Sequence, residues 1–155
     1  MAALNLNRIR RRLKGRVQEV FVQRERRIFI RVAEEDLRET VKTLIRLDGF
    51  NHLATITGVD IGPAIELIYH IIYKDAVVSL KVQVPKESPV LPTITDLIPG
   101  AVFYEREIQD LLGVKFEGNS SSSLFILPDG WPDGVHPLRK EWTLGRISKK
   151  VRRLW

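Results

Sequence analysis

The sequence predicts an α+β fold, in which an antiparallel sheet packs against one helix, a second helix follows, and the chain ends in an extended irregular tail. Two observations support this fold class. Three apolar segments between residues 50 and 85 are separated by tight turns, and consecutive strands joined by such turns must run antiparallel. In two other segments, apolar residues recur at the three-and-four spacing of an amphipathic helix.

The first elements are predicted to be a short helix and a β-hairpin. Leu4, Ile9 and Leu13 fall near one side of the helix, and Gly15 is expected to end it. Valine and isoleucine then recur at 17–22 and 28–32 around a polar link, which is typical of two paired strands.

The central elements are a helix over 34–47 and a three-stranded meander. The helix is indicated by a stripe of four apolar residues, Leu37, Val41, Leu44 and Ile45. Strands are expected at about 52–60, 65–73 and 77–84. Gly62-Pro63 and Lys74-Asp75 supply the turns between them. A second helix should run from Thr95 or Gly100 to Leu112 and stop at Gly113.

The chain divides into an α+β domain over 1–116, with a basic N-terminal segment, and an extended docking tail over 117–155. The tail begins with glycine and a run of serines and then holds three prolines between 128 and 137. It also carries Trp131, Trp142 and Trp155, and large aromatic side chains in an irregular segment need a surface to pack on. That surface belongs either to this chain or to a partner.

Composition limits the possible cofactors. The chain has 155 residues and no cysteine, so iron–sulfur clusters lack their normal thiolate ligands. His52, His70 and His136 are the three histidines, and their spacing matches no zinc motif. We therefore expect neither a metal nor a cofactor in this chain. No apolar stretch is long enough to span a membrane, which predicts a cytoplasmic protein.

Charge is segregated along the chain. Residues 1–31 hold ten Lys or Arg against two Asp or Glu, residues 32–135 hold eight against 16, and residues 136–155 hold seven against one. Basic ends on an acidic body could bind nucleic acid, an acidic protein surface or anionic lipid. Alternatively, the arginines are solvated and the segregation is incidental.

Independent catalysis is not expected. Glu105 and Glu107 are two residues apart and diverge on a helix, so they cannot act as paired carboxylates. The serine run lacks the glycine elbow and nearby histidine of a hydrolase.

Three motifs occur in order in the second half of the chain. They are Phe103-Tyr104-Glu105-Arg106-Glu107-Ile108-Gln109-Asp110-Leu111-Leu112-Gly113-Val114-Lys115-Phe116-Glu117-Gly118, then Leu127-Pro128-Asp129-Gly130-Trp131, then His136-Pro137-Leu138-Arg139-Lys140-Glu141-Trp142. Together they resemble the signature of the family formed by the C subunit of NADH dehydrogenase, a hydrophilic subunit of respiratory complex I. The resemblance extends from about Val17 to Leu144.

One departure indicates the branch of the family. Typical members carry His-Pro and a basic residue where Asn119, Ser120 and the serine run stand here. With the short length, this looks more like the homologous subunit of ferredoxin-linked, membrane-bound hydrogenases or sulfur reductases, which couple electron transport to ion translocation. The composition, rich in Ile, Arg and Glu, also fits a thermophile.

The resemblance implies a subunit that binds no cofactor and docks to the large catalytic subunit and the iron–sulfur subunits. Those partners would carry the iron–sulfur clusters and, in hydrogenases, a nickel–iron site. The membrane arm would be contacted only indirectly, from the cytoplasmic face of the membrane. The expected partner-binding residues are Glu105, Arg106, Glu107, Asp110, Gly113, Trp131, His136, Pro137, Leu138, Arg139 and Trp142.

Two other interpretations of these residues stay open. The charges on the second helix could form a solvated face, with Arg106 and Asp110 as an exposed i, i+4 pair worth about 0.3 kcal/mol. The arginine-rich ends, with Trp155 for stacking, could instead belong to a nucleic-acid-binding module, although no recognisable binding motif is present.

Overall fold

The computed structural model describes residues 6–73, 76–119 and 123–151. Its strands are β1 Val17–Arg24, β2 Arg27–Val32, β3 Phe50–Asp60, β4 Ala64–Tyr73, β5 Ala76–Pro85, β6 Val90–Pro92 and β7 Lys115–Glu117. Its helices are α1 Leu6–Arg12, α2 Leu37–Ile45, α3 Ala101–Leu112 and α4 Leu144–Val151, with a 3-10 helix, Glu34–Asp36, before α2. Five strands form one sheet in the order β1-β2-β5-β4-β3, and β6 pairs with β7 in a second.

One face of the large sheet carries the hydrophobic core. Alternate residues of the central strands point to this face and are fully buried, among them Leu67 on β4 and Leu80 on β5. Leu13, Val41 and Ile108 bring the first three helices into the same cluster. Burying one Leu or Ile side chain contributes about 1.5–3 kcal/mol, so this shared core holds the helices on the sheet.

The predicted α+β class, the hairpin, the meander and both long helices are confirmed. The sheet is mixed rather than wholly antiparallel, because β2 and β5 pair in parallel with Ile28 beside Val78. The chain leaves β2, crosses through α2 to the far edge, and returns through the meander, which brings β5 alongside β2. Local turn signals cannot report that long-range pairing. The predictions for Leu4, Lys74-Asp75 and Trp155 lie outside the described residues.

The position of α3 depends on two glycines. At Gly58 on β3, an added Cβ would overlap the side chain of Leu112, so only glycine permits this close approach of helix and strand. Gly113 ends the helix in the left-handed conformation, with φ of 70°, and its N–H donates to the carbonyl of Gln109. The end of α3 is therefore where the sequence predicts it.

The C-terminal segment is irregular until Thr143, and α4 then differs from the prediction of an irregular tail. The N–H groups of Arg146 and Ile147 both donate to the carbonyl of Thr143 over 3.0 Å, and Thr143 Oγ1 also accepts from Arg146 N–H. A capping threonine thus begins a helix of eight residues, too short to produce a strong periodic signal. The division of the chain at residue 116 stays a prediction.

Candidate docking surface

Glu105 lies inside the fold and holds two neighbouring segments against α3. Its side chain is fully buried, and its carboxylate accepts hydrogen bonds from the Thr93 hydroxyl at 2.6 Å, the Ile94 N–H at 2.9 Å and the Asn119 amide at 3.0 Å. These three donors offset the cost of burying the carboxylate. The structure therefore corrects the expectation that Glu105 contacts a partner, because this carboxylate is enclosed by its own chain.

Asp110 plays the same internal role at the other end of the helix. It is 4% exposed, and one carboxylate oxygen accepts three backbone N–H groups, from Phe125 and Ile126 at 2.8 Å and from Leu127 at 3.3 Å. A single carboxylate thus binds the backbone of an irregular segment. Asp110 positions that segment and does not itself reach the surface, which corrects its predicted role.

Arg106 holds the same segment from the preceding turn of α3. Its guanidinium donates to Ser123 Oγ at 3.0 Å and lies 4.8 Å from the centre of the Phe125 ring. Among the described residues it forms no ion pair with Asp110, so the predicted i, i+4 pair is absent. Both charges are directed at the 123–127 segment instead, which the pattern of the helix alone could not indicate.

Because this segment is bound through its backbone, its apolar side chains face outward. Leu124 is 39% exposed, Phe125 40% and Ile126 50%, and they lie beside Phe103, which is 54% exposed. The Phe103 and Phe125 ring centroids are 5.6 Å apart. We call these four residues the apolar patch. The sequence signal was the apolar run at 124–127 between serines and proline, but it was not assigned to the site.

Residues 136–139 cover the C-terminal end of α3. The last carbonyls of a helix lack partners within the helix, and here each receives a donor. Leu138 N–H donates to the Leu111 carbonyl at 3.0 Å, and Arg139 Nε donates to the Leu112 carbonyl at 2.7 Å. His136 Nδ1 lies 2.9 Å from the Asp110 carbonyl, which requires the proton on Nδ1.

Gly113 is what allows the histidine ring to lie there. An added Cβ at this glycine would collide with the ring of His136, so the glycine both ends the helix and makes room for the returning chain. The Arg139 guanidinium also places a positive charge at the negative end of the helix dipole. The motif residues are thus tied together by the end of α3.

The outward side of this segment borders a groove between α3 and β3. Leu138 is 55% exposed and lines the groove of about 190 Å³ together with Glu107, Leu111 and Gly58. Pro137 is half-buried beside it. Leu138 and Glu107 therefore lie at an accessible surface, which a partner-binding role requires.

The two described tryptophans are half-buried and belong to local turns. Trp131 donates its indole N–H to the Val135 carbonyl at 2.8 Å, and Trp142 donates its backbone N–H to the Arg139 carbonyl at 2.9 Å. Each keeps part of its ring accessible while its turn is fixed. The chain itself thus covers part of this aromatic surface.

An ionic latch fastens the end of the segment to the sheet. Lys86 Nζ lies 2.6 Å from both Asp60 and Glu141, and Asp60 also accepts the Lys140 N–H at 2.9 Å. Burial by itself would raise the pKa of Asp60, but hydrogen bonds from Lys86, Lys140 and Gly62 outweigh it and lower the pKa to about 2. The hydrogen bond from Lys86 likewise lowers the pKa of Glu141.

Metal ligands and membrane spans are both missing from the described part of the chain. Across residues 6–73, 76–119 and 123–151, no three His, Asp or Glu side chains come together as a metal site. None of the helices in those ranges has the length and apolar character needed to cross a bilayer.

An exposed apolar patch beside a groove is typical of proteins that bind other proteins. The family model described as the respiratory-chain NADH dehydrogenase 30 Kd subunit matches residues 30–147. The chain belongs to this family, and the resemblance seen in the sequence is confirmed.

Named relatives come from two kinds of complex. The chain is 32% identical to the membrane-bound hydrogenase subunit beta of Pyrococcus furiosus, over 74% of this chain and 69% of the relative. It is 39% identical to the C subunit of the NADH-quinone oxidoreductase of Roseiflexus sp. strain RS-1, over 62% of this chain and 57% of the relative. It is 40% identical to NADH-quinone oxidoreductase subunit 5 of Thermus thermophilus, over 67% of this chain and 56% of the relative. The chain thus spans little more than half the length of these two quinone oxidoreductase relatives.

Two solved structures share the fold. A chain of the membrane-bound sulfane sulfur reductase, an archaeal respiratory membrane complex, aligns with a TM-score of 0.79 at 30% identity, over 95% of this chain and 89% of that one. A trypsin-resistant fragment of Nqo5 aligns with a TM-score of 0.59 at 28% identity, over 76% of this chain and 99% of the fragment.

Proposed function

We propose that this chain is a non-catalytic, peripheral-arm subunit of a membrane-bound, complex I-like oxidoreductase of the ferredoxin-linked hydrogenase or sulfur reductase type. The observation that carries the proposal is the use of Asp110: a buried carboxylate binds the backbone of 125–127 so that apolar side chains are displayed to solvent. Family membership supports a place in a multisubunit complex.

The extent of the structural match supports the hydrogenase or sulfur reductase branch. The sulfane sulfur reductase chain aligns over 95% of this chain, against 76% for the Nqo5 fragment. The hydrogenase subunit beta is matched over more of its length than the two quinone oxidoreductase relatives are. The higher sequence identity of those two relatives points the other way, so the terminal acceptor has to be measured.

Within such a complex, the chain docks to the large catalytic subunit and to the iron–sulfur subunits. The apolar patch and the groove beside Leu138 supply the contact area, while Glu105, Asp110 and His136 hold those surfaces in shape. Electron transfer and ion translocation take place in the other subunits, and this chain lies at the cytoplasmic face of the membrane. A thermophilic source stays a prediction.

Purification of a tagged chain from native membranes, in mild detergent and raised salt, tests the proposal. We expect the large subunit and cluster-bearing subunits to co-purify, because contacts made by apolar side chains survive salt, whereas phosphate contacts weaken steeply. A nickel-bearing partner would select the hydrogenase branch. Recovery of nucleic acid, or of no oxidoreductase subunit, would contradict the proposal. No feature of the docking surface favours nucleic acid.

A truncation separates the contact surface from the fold. Ending the chain after Asp129 removes residues 136–142 and the ionic latch but leaves all five strands of the large sheet. We expect this shortened chain to keep its β-sheet circular dichroism and to lose co-purification with the large subunit. Retained co-purification would contradict the assignment of contact energy to this segment.

A further inference from the structure

The last described helix, α4, has an apolar side that its own chain does not cover. Leu144, Ile147 and Val151 recur at positions i, i+3 and i+7 and share one side of the helix. None of its residues is buried, and Leu144 is 85% exposed, the highest value for a large apolar side chain in the described part of the molecule. An apolar stripe of this kind is stable in water only when something packs on it.

The remaining surface of α4 is basic. Arg146, Lys149 and Lys150 lie on it, and the helix contains no Asp or Glu. The Arg146 guanidinium bonds to the Glu141 carbonyl at 2.9 Å, whereas Lys149 and Lys150 form no ion pair with any described residue. The lysines thus present positive charge next to the apolar stripe.

We propose that α4 is a docking helix for an acidic protein surface, namely an apolar groove bordered by carboxylates on another subunit of the same complex. Leu144, Ile147 and Val151 insert into the groove, and Lys149 and Lys150 pair with the carboxylates. This inference rests on the proposed function, since it names a second contact made by the same subunit.

Continuity with the docking surface supports a protein partner. The segment leading to α4 is bound to the end of α3 by Arg139 and to the sheet by the latch between Lys86 and Glu141. The helix starts three residues after Glu141 and is therefore presented next to the surface through which the chain docks. A partner that covers Leu138 can reach Leu144 as well.

The size of the helix favours a groove over a lipid surface. Eight residues span about 12 Å, and the stripe consists of three aliphatic side chains. The spacing i, i+3, i+7 is that of helices that anchor in a protein groove. Binding to a bilayer scales with the apolar area inserted, and three such side chains give only a small area.

Affinity measurements on the full chain test this assignment. The probe is the purified complex prepared without this subunit, and binding is measured at low and at high salt. Leu144→Gln keeps helix propensity and should weaken binding about tenfold at both salt concentrations. Lys149→Gln with Lys150→Gln should weaken binding about threefold at low salt, with a smaller effect at high salt.

Matched controls are available on the same chain. Ile61→Gln changes an apolar side chain that is 38% exposed, and Lys115→Gln changes an exposed lysine on β7. Both controls should bind like the native chain. Because no residue of α4 is buried, the α4 variants should also keep the circular dichroism spectrum and melting temperature of the native chain.

The outcomes separate this inference from the proposed function. If the native chain binds the complex and the α4 variants bind equally well, the docking role of α4 is overturned and the proposed function stands. If the native chain does not bind, both fail. If the variants bind the complex normally but lose binding to phosphatidylglycerol vesicles, α4 contacts lipid and the inference is also overturned.

Discussion

Two exposed aromatic pairs on this molecule arise in different ways. Phe21 and Phe29 face each other across the β1–β2 hairpin, with ring centroids 6.4 Å apart. Phe103 and Phe125 are 5.6 Å apart, but one lies on α3 and the other on an irregular segment. The first pair follows directly from strand register.

The second pair exists only because buried polar groups hold it in place. Asp110 binds the backbone at 125–127, and Arg106 lies over the Phe125 ring. Burying a carboxylate is costly, and committing three backbone donors to it makes sense where the displayed side chains have a use. Exposure alone therefore does not identify a docking surface, whereas exposure maintained by buried polar groups does.

The largest expected effect concerns the end of α3. Gly113→Ala should lower the free energy of unfolding by about 3 kcal/mol, because the added Cβ is strained at positive φ and also collides with His136. Urea unfolding measures it. Gly134→Ala is the matched control, with φ of 72° and open space around the added Cβ, and should cost only about 1 kcal/mol. Equal losses would contradict the role of the histidine contact.

Removal of the buried carboxylate tests how the apolar patch is held. Asp110→Ala leaves three backbone N–H groups without their acceptor and should cost about 2 kcal/mol. Hydrogen exchange should accelerate at residues 125–127 and stay unchanged at Phe21 and Phe29. The exposed Asp129, changed to Ala, serves as the control. Native exchange rates at 125–127 in the Asp110 variant would show that the carboxylate is not the anchor.

The two aromatic pairs can be compared directly by binding. Phe103 and Phe21 are both 54% exposed, so Phe103→Ser and Phe21→Ser remove the same side chain at equal exposure. We expect the Phe103 variant to bind the complex about tenfold more weakly, and the Phe21 variant within about twofold of the native chain. Equal losses would mean that both pairs, or neither, contact a partner.

The smallest expected effect is the pH dependence of the latch. The pKa of Asp60 is lowered from 3.8 to about 2 in the folded chain, so its stabilising contribution is present above about pH 4 and is lost as the pH falls towards 2. The loss should be on the order of 1 kcal/mol. It is measured as the difference in acid unfolding between the native chain and Asp60→Asn, which lacks the titrating group. Parallel stability curves for the two would contradict the latch.

Local patterns were sufficient for most of the fold. The stripe Leu37, Val41 and Leu44 predicts α2, and the left-handed glycine at 113 predicts the end of α3. The parallel pairing of β2 with β5 was missed because no local signal encodes which distant strands become neighbours. The helix α4 was missed because eight residues after a proline-rich segment give too short a period.

The candidate site was predicted in part. Motif order pointed to the end of α3, and Leu138, Arg139 and His136 do meet there. The direction of each side chain was less accessible. Glu105 and Asp110 were expected at the surface, because a helix considered in isolation does not show which segments will pack over its charged positions.

By itself, the sequence determined the α+β class, the helix ends, the absence of thiolate ligands and the family, because these depend on local periodicity, glycine conformation and residue type. Only the tertiary structure decided that Glu105 and Asp110 lie inside, that Phe125 and Leu124 lie outside, and that Lys86 fastens the C-terminal segment to the sheet. Burial and hydrogen-bond partners are properties of segments brought together from distant positions. The physical reason for the docking surface is therefore the packing of residues 123–142 on α3, which no single segment contains.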